Sequence, residues 1–200
     1  MKLPLSESYQ ALLEESANRI LILDGGFGTM VQRLKLTEKD FRGERFIDFP
    51  KELQGNNDVL PLTCPDRIEW IHHEYLSAGA DIIETDSFGA SPIGQREYGL
   101  SEFAYEMAKA SARVACRAVE TKAREEREAG IVPVRRFVAG SIGPTSKTAS
   151  ISPDVSDPSA RAVTFRELVE SYRVSVNGLL DGGADILLVE TVFDTLNAKA

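Results

Sequence analysis

The chain has 200 residues, 42% of them hydrophobic and 27% charged, which is the composition of a globular protein rather than of a fibrous or disordered one. Its net charge of −8, without a basic cluster, argues against nucleic acid or an anionic membrane surface as a partner. No apolar run reaches the roughly 20 residues of a membrane span, and Cys64 and Cys116 are too few for a disulfide framework. We therefore expect a compact, cytoplasmic protein that acts on a small molecule.

Four short apolar runs predict buried parallel strands, because they lack the alternation of a strand with one solvent-facing side. They cover residues 19–24, 80–86, 136–141 and 184–191. Helices are predicted between them over residues 65–77, 101–129 and 164–181. The last helix opens with the capping-box pattern Thr164-Phe-Arg-Glu167. This alternation of helices and strands indicates a parallel α/β fold.

A weak internal repeat favours a barrel. Gly79-Ala-Asp-Ile-Ile-Glu-Thr85 resembles Gly183-Ala-Asp-Ile-Leu-Leu-Val-Glu-Thr191. In both segments a Gly-Ala-Asp turn leads into an apolar strand that ends in Glu-Thr. Repeated units with polar residues at the same strand end are typical of a (β/α) barrel, whose active site forms there. An open doubly wound sheet predicts a similar pattern.

The length is short for a complete barrel. A (β/α)8 TIM barrel needs about 250 residues, whereas this chain carries four predicted strands and ends soon after the start of a helix near Asp194. We therefore expect a helical extension over residues 1–18. Residues 19–200 are then about the first half to two-thirds of a TIM barrel that is incomplete at its C-terminus.

Polar residues follow each predicted strand. The Gly-rich turn Asp24–Phe27 could hold a carboxylate with its backbone N–H groups and an ammonium group with Asp24. A tight turn whose aspartate caps the next helix explains the same residues equally well. Asp86, Ser141 and Glu190 end the other three strands. One such carboxylate is more often structural, but four polar strand ends together favour a shared site.

The remaining reactive residues are predicted to be structural. His72 and His73 are adjacent on a helix and have no histidine or cysteine partner at metal-ligand spacing. Cys64 and Cys116 are expected to be small buried residues rather than reactive thiols.

Several motifs together resemble the homocysteine S-methyltransferases. The matching segments are 23–30, 40–43, 55–58, 79–85, 139–145, 188–191 and 193–195. The Asp-Gly-Gly turn and the strand ends resemble the family as a whole. Phe41-Arg42-Gly43 and Gly55-Asn-Asn-Asp58 resemble its cobalamin-dependent branch, the methionine synthases. The resemblance extends from about residue 19 to the last residue.

This resemblance implies the homocysteine-binding part of an enzyme that transfers a methyl group from methylcobalamin to zinc-activated homocysteine, giving methionine. Methyltetrahydrofolate recharges the cobalamin, and the partners implied are the enzyme's own downstream folate- and cobalamin-binding domains. The glycine turn would hold the amino acid and Glu190 its ammonium group, with Asp86 and Ser141 at neighbouring strand ends. The substrate-binding residues are thus predicted to be Asp24, Gly25, Gly26, Phe27, Glu190, Asp86 and Ser141.

One departure limits what this chain is expected to do alone. The family's zinc is held by three cysteines, including an adjacent Cys-Cys pair that this sequence lacks. We therefore expect zinc and cobalamin to belong to the full-length enzyme, with no metal, cofactor or catalytic residue in this chain alone. A further departure is Asp86, which stands where the pattern Glu-Thr-Asn has asparagine.

Three other functions stay open. The first is a stand-alone methyltransferase that uses S-methylmethionine or betaine. The second is a non-catalytic amino-acid-binding barrel. The third is an aldolase-like or lyase barrel with Asp24 and Glu190 as acid and base.

Overall fold

The computed structural model describes residues 6–200. The helices in this range are α1 (Glu7–Asn18), α2 (Phe27–Arg33), α3 (Glu38–Arg42), α4 (Leu60–Thr63), α5 (Pro65–Ala78), α6 (Ala104–Glu128), α7 (Phe165–Gly182) and α8 (Thr195–Lys199). The strands are β1 (Ile82–Glu84), β2 (Phe137–Ile142) and β3 (Ile186–Val189). Short 3-10 helices cover Asn57–Val59, Gly94–Arg96 and Ser101–Phe103.

The strands form one parallel sheet in the order β1-β2-β3. Ile83 pairs with Val138, and Gly140 pairs with Leu187. The predicted α/β fold with parallel strands is therefore confirmed. Within residues 6–200 the sheet has three strands, so the closed TIM barrel stays a prediction.

The predicted strand over residues 19–24 is wrong as a regular strand. The segment runs alongside β1, and Asp24 donates its N–H to the carbonyl of Ile82 at 2.9 Å. Its strand pairing is nevertheless limited to a single parallel bridge between Leu23 and Ile82. The N–H of Ile22 instead donates to the Asp81 side chain, and the glycine turn begins directly after Asp24. A side chain and a turn thus replace the bonds that would extend the ladder.

The internal repeat has a structural cause. Asp81 Oδ2 accepts the N–H of Ile22 at 2.9 Å, and Asp185 Oδ2 accepts the N–H of Val138 at 2.9 Å. Each aspartate therefore joins the start of its own strand to the strand segment beside it. The glycine two residues earlier ends the preceding helix with a positive φ, 105° at Gly79 and 101° at Gly183.

The three long predicted helices are confirmed, with small shifts at their ends. Residues 101–103 form a 3-10 turn before α6. Thr164 caps α7 with the predicted reciprocal bonds to Glu167. None of the helices in the described part of the chain is both long and apolar enough to cross a membrane.

The core lies between the sheet and its helices. Every residue of β2 is buried, and α6 and α7 pack closely together. The prediction that all strands are buried on both faces is wrong for β3, because Leu187 and Val189 are 41% and 55% exposed. No described residue covers that face.

Helix α1 occupies part of the predicted extension 1–18, whose first five residues lie outside the described range. Its Ser8 hydroxyl donates to Asp185 Oδ1 at 2.8 Å. The division of the chain at residue 18 stays a prediction.

Candidate active site

The carboxyl ends of the strands open into one cavity of about 520 Å³. All seven residues predicted to bind substrate line it, and their binding roles stay predictions. The complete lining is Asp24, Gly25, Gly26, Phe27, Gly28, Gly55, Asn57, Asp58, Glu84, Thr85, Asp86, Phe88, Ser141 and Glu190.

Asp24 lies at the mouth of this cavity and does not cap a helix. Its Oδ2 accepts the N–H of Glu84 at 3.0 Å, whereas its Oδ1 is buried without a partner among the described residues. Helix α2 begins after Gly26 with no side-chain capping bond. The structure therefore contradicts the capping explanation of Asp24. Burial raises the pKa of this carboxyl to about 7.

The glycine turn presents free donors to the cavity. The carbonyl of Gly26 accepts the Thr29 hydroxyl at 2.7 Å and the Tyr75 hydroxyl at 3.2 Å. Within residues 6–200, the N–H groups of Gly25 and Gly26 donate to no other residue. Two side chains thus fix the turn through its carbonyl and leave those two N–H groups available for an anion.

Ser141 and Glu190 form a second polar wall. The Ser141 hydroxyl donates to Glu190 Oε1 at 2.5 Å. The backbone beneath is fixed as well, since Ser141 N–H donates to Thr85 Oγ1 at 2.9 Å and the Ser87 hydroxyl donates to the Ser141 carbonyl at 2.8 Å. The carboxylate of Glu190 is therefore held in one direction at the strand ends.

The ionisable side chains that line the cavity are all acidic. Five carboxyl groups line it, and no lysine, arginine or histidine in the described range does so. Burial raises the pKa of Glu84, and the nearby charge of Glu190 raises it further. Such a cavity is suited to a ligand that carries an ammonium group.

The substrate-binding set predicted from the sequence did not include Asn57 and Asp58, which come from the 3-10 helix after Gly55. Asp58 accepts the N–H of Gly89 at 2.8 Å and the side-chain N–H of Gln95 at 3.1 Å. The motif Gly55–Asp58 was the only sequence signal that pointed to these two residues. Nothing in its spacing placed it at the strand ends.

The described residues do not fit the family's zinc. Cys64 Sγ donates to the carbonyl of Asp40, and Cys116 Sγ donates to that of Gly183, so the two thiols lie apart and outside the cavity. Burial raises the pKa of both thiols, that of Cys116 to about 11. No group of three or more His, Cys, Asp or Glu with metal-binding geometry occurs in residues 6–200.

The two adjacent histidines have different surroundings. His73 Nε2 lies 2.8 Å from Glu125 Oε2. His72 is completely buried against Phe27, with neither ring nitrogen bonded to a described residue. Both histidines lie outside the cavity lining, and their structural roles stay predictions.

Known proteins share the fold of this chain. The oxidised form of the homocysteine methyltransferase MmuM from Escherichia coli aligns with a TM-score of 0.68 and 25% identity, over 96% of this chain and 59% of MmuM. Its metallated form aligns with a TM-score of 0.67 at 24% identity over the same shares, which shows the fold alone. The chain thus spans less than two-thirds of the length of these relatives. Residues 21–200 match the family described as homocysteine S-methyltransferase. The chain therefore belongs to the homocysteine S-methyltransferase family.

Proposed function

We propose that this chain is the homocysteine-binding part of a methyltransferase that produces methionine. The observation that carries the proposal is the meeting of Asp24, Glu190 and the free N–H groups of the glycine turn in one cavity. A family match over residues 21–200 supports homocysteine as the amino acid.

The cavity offers complementary groups to both charges of an amino acid. The ammonium group would donate to Asp24 Oδ1, which has no partner among the described residues, and to Glu190. The carboxylate would accept from the N–H groups of Gly25 and Gly26. An ionised Asp24 suits this role. With a pKa of about 7 the carboxyl is only partly ionised at neutral pH, and the positive charge of a bound ammonium group would lower that pKa and stabilise the charged form.

For the methyl donor we propose the cobalamin-dependent branch. Its support is the pair of sequence motifs, Phe41–Gly43 and Gly55–Asp58. The second motif supplies three residues to the cavity wall, Gly55, Asn57 and Asp58. Because the described residues do not fit zinc, we assign no step of the transfer to a metal held by them. The downstream folate- and cobalamin-binding domains belong to this proposal.

The binding proposal is tested by titrating L-homocysteine into the full chain under a reductant. Asp24→Asn and Glu190→Gln should each weaken binding at least about tenfold, since each removes a charge that pairs with the ammonium group. The control Arg166→Gln changes a side chain that is 88% exposed and should bind as the wild type does. Unchanged affinity in both cavity variants would remove these residues from the binding site.

The donor is tested separately in the complete enzyme. Methylcobalamin, S-methylmethionine and betaine are offered one at a time, and methionine formation is measured. Product from methylcobalamin is expected. Turnover with S-methylmethionine or betaine alone would assign the enzyme to the stand-alone class instead.

A further inference from the structure

The carboxyl of Asp86 is unusually placed for a cavity residue. The residue is 6% exposed, and its Oδ2 is buried with no hydrogen-bond partner in the part of the chain described here. It lines the same cavity as the glycine turn. A buried carboxylate with no donor and no cation is strongly unfavourable, whereas a neutral carboxylic acid costs much less to bury.

A second carboxyl, that of Asp58, faces Asp86 from the 3-10 helix Asn57–Val59. Its two oxygens accept bonds from the Gly89 N–H at 2.8 Å and the Gln95 side chain at 3.1 Å. A Cβ atom on Gly89 would lie 2.6 Å from Asp58 Oδ2, so glycine is needed for this approach. Gln95 is itself fixed, because Asn56 donates to its Oε1 at 2.7 Å.

The two carboxyls therefore differ in the hydrogen bonds that stabilise their charged forms. Asp58 accepts from two N–H donors that stabilise its charge, whereas Asp86 Oδ2 has no donor in residues 6–200. When two carboxyls share a site, the proton resides on the one whose charged form is less stabilised. That one is Asp86. Burial first and then the charge of Asp58 raise the pKa of Asp86 well above its usual range.

We propose that Asp86 keeps its proton at neutral pH and donates it as a hydrogen bond to the carboxylate of the bound amino acid, with Asp58 holding the charge beside it. A protonated acid can serve as a donor in an apolar site. It also lowers the negative charge that a ligand carboxylate meets in a cavity lined by acids. The inference rests on the proposed binding of homocysteine, whose carboxylate accepts the hydrogen bond from Asp86.

Four other carboxyl groups line the cavity with Asp86. Besides burial, the charges of Glu84 and Glu190 raise the pKa of Asp24, whereas Asp58 is the charge that acts on Asp86. Asp24 titrates near pH 7 in its own right, so a pH profile of binding contains its contribution as well. The variant Asp86→Asn retains Asp24 and a donor at position 86, so the ratio of wild-type to variant affinity isolates Asp86.

The first measurement needs no ligand. The carboxyl carbon of Asp86 is followed by NMR during a pH titration of the full chain labelled at aspartate, with Asp86→Asn identifying the signal. We expect a midpoint above pH 7, which falls in Asp58→Asn because a neighbouring charge is removed. A midpoint at or below pH 7 would overturn the proposal, because Asp86 would then lose its proton by neutral pH.

The second measurement is L-homocysteine affinity of the wild type and Asp86→Asn at pH 6 and pH 9. The ratio of the two affinities should fall about tenfold toward pH 9, when Asp86 loses its proton and the hydrogen bond. A ratio that is constant or rises with pH would show that Asp86 is not a donor to the ligand. Absence of binding in both proteins at both pH values would contradict the proposed function, while the NMR midpoint would still decide whether Asp86 holds a proton.

Discussion

The hydroxyl of Ser141 donates a hydrogen bond of 2.5 Å to Oε1 of Glu190, and this bond joins the ends of two neighbouring strands at the cavity. Ser141 is 2% exposed, and its backbone is fixed by Thr85 and Ser87. The bond therefore sets the direction of the Glu190 carboxylate. It makes Ser141 a positioning residue for the ammonium group in the function proposed above.

Replacing this serine should weaken binding without unfolding the chain. Ser141→Ala is expected to lower homocysteine affinity about tenfold, because a hydrogen bond to a charged group is lost. The measurement is calorimetric titration. Ser111→Ala is the matched control, since Ser111 is completely buried and its hydroxyl has no partner among the described residues. Equal affinities of Ser141→Ala and Ser111→Ala would argue against the positioning role.

Asp24 should make the folded chain less stable as pH rises. Its pKa is raised from 3.8 to about 7, so the folded state holds the proton more tightly than the unfolded state. The free energy of unfolding therefore decreases between about pH 4 and pH 7 on account of this group. Asp24→Asn should reduce that decrease, as measured by urea unfolding at pH 5 and pH 8. Asp157→Asn, on an exposed loop where the Ser159 hydroxyl lowers the aspartate pKa, should leave it unchanged.

His72 should make the folded chain less stable as pH falls, which is the opposite of the effect of Asp24. Burial lowers its pKa from 6.5 to about 3, so between these pH values the imidazole is protonated in the unfolded chain and neutral in the folded chain. Stability supplied by neutral His72 is present above pH 6.5 and is lost as pH falls toward 3. His72→Leu should reduce this loss and raise the free energy of unfolding by about 1–3 kcal/mol, because it removes two buried ring nitrogens that bond to no described residue. Thermal unfolding at pH 4.5 and pH 7 tests this, with His73→Gln at the partly exposed neighbouring position as the control. An acid loss of stability as steep in His72→Leu as in the wild type would contradict it.

Arg42 should be a structural residue of the Phe-Arg-Gly motif. Its guanidinium pairs with Glu38 at 2.6 Å and donates to carbonyls of the following loop, including Phe49 at 2.6 Å and Lys51 at 2.9 Å. Arg42→Ala should lower the free energy of unfolding by about 1–3 kcal/mol, since a partly buried ion pair is broken and several loop carbonyls lose their donor. Arg166→Ala, in an exposed pair, should cost at most about 0.5 kcal/mol. Equal unfolding midpoints in urea for the two variants would refute the role.

Gly178 should be required for the contact between α6 and α7. A Cβ atom there would lie 2.6 Å from the Tyr105 carbonyl oxygen and 2.8 Å from the Ala108 Cβ. Gly178→Ala should destabilise the chain by about 1–3 kcal/mol despite the better helix propensity of alanine. Gly28→Ala is the control, because the nearest atom to its Cβ is 3.9 Å away. Chemical denaturation compares the two, and a Gly178→Ala chain as stable as the wild type would show that the helices can separate without cost.

Sequence patterns were sufficient where the physical cause is local. The reciprocal bonds between Thr164 and Glu167 begin α7 from residues three positions apart, and Gly183 ends it through a positive φ that glycine tolerates. The convergence of Asp86, Ser141 and Glu190 was also predictable, since the carboxyl ends of parallel strands meet at one edge of a sheet.

Tertiary structure alone decided the features that depend on distant partners. Ile22 lies in a run that reads as a strand, but its N–H donates to Asp81, 59 residues away. Asp58 reaches the cavity because Gly89, 31 residues later, lets the backbone approach its carboxylate. The sequence determines which carboxyls are present, and the fold determines which of them keep a charge, because burial and neighbouring donors set each pKa.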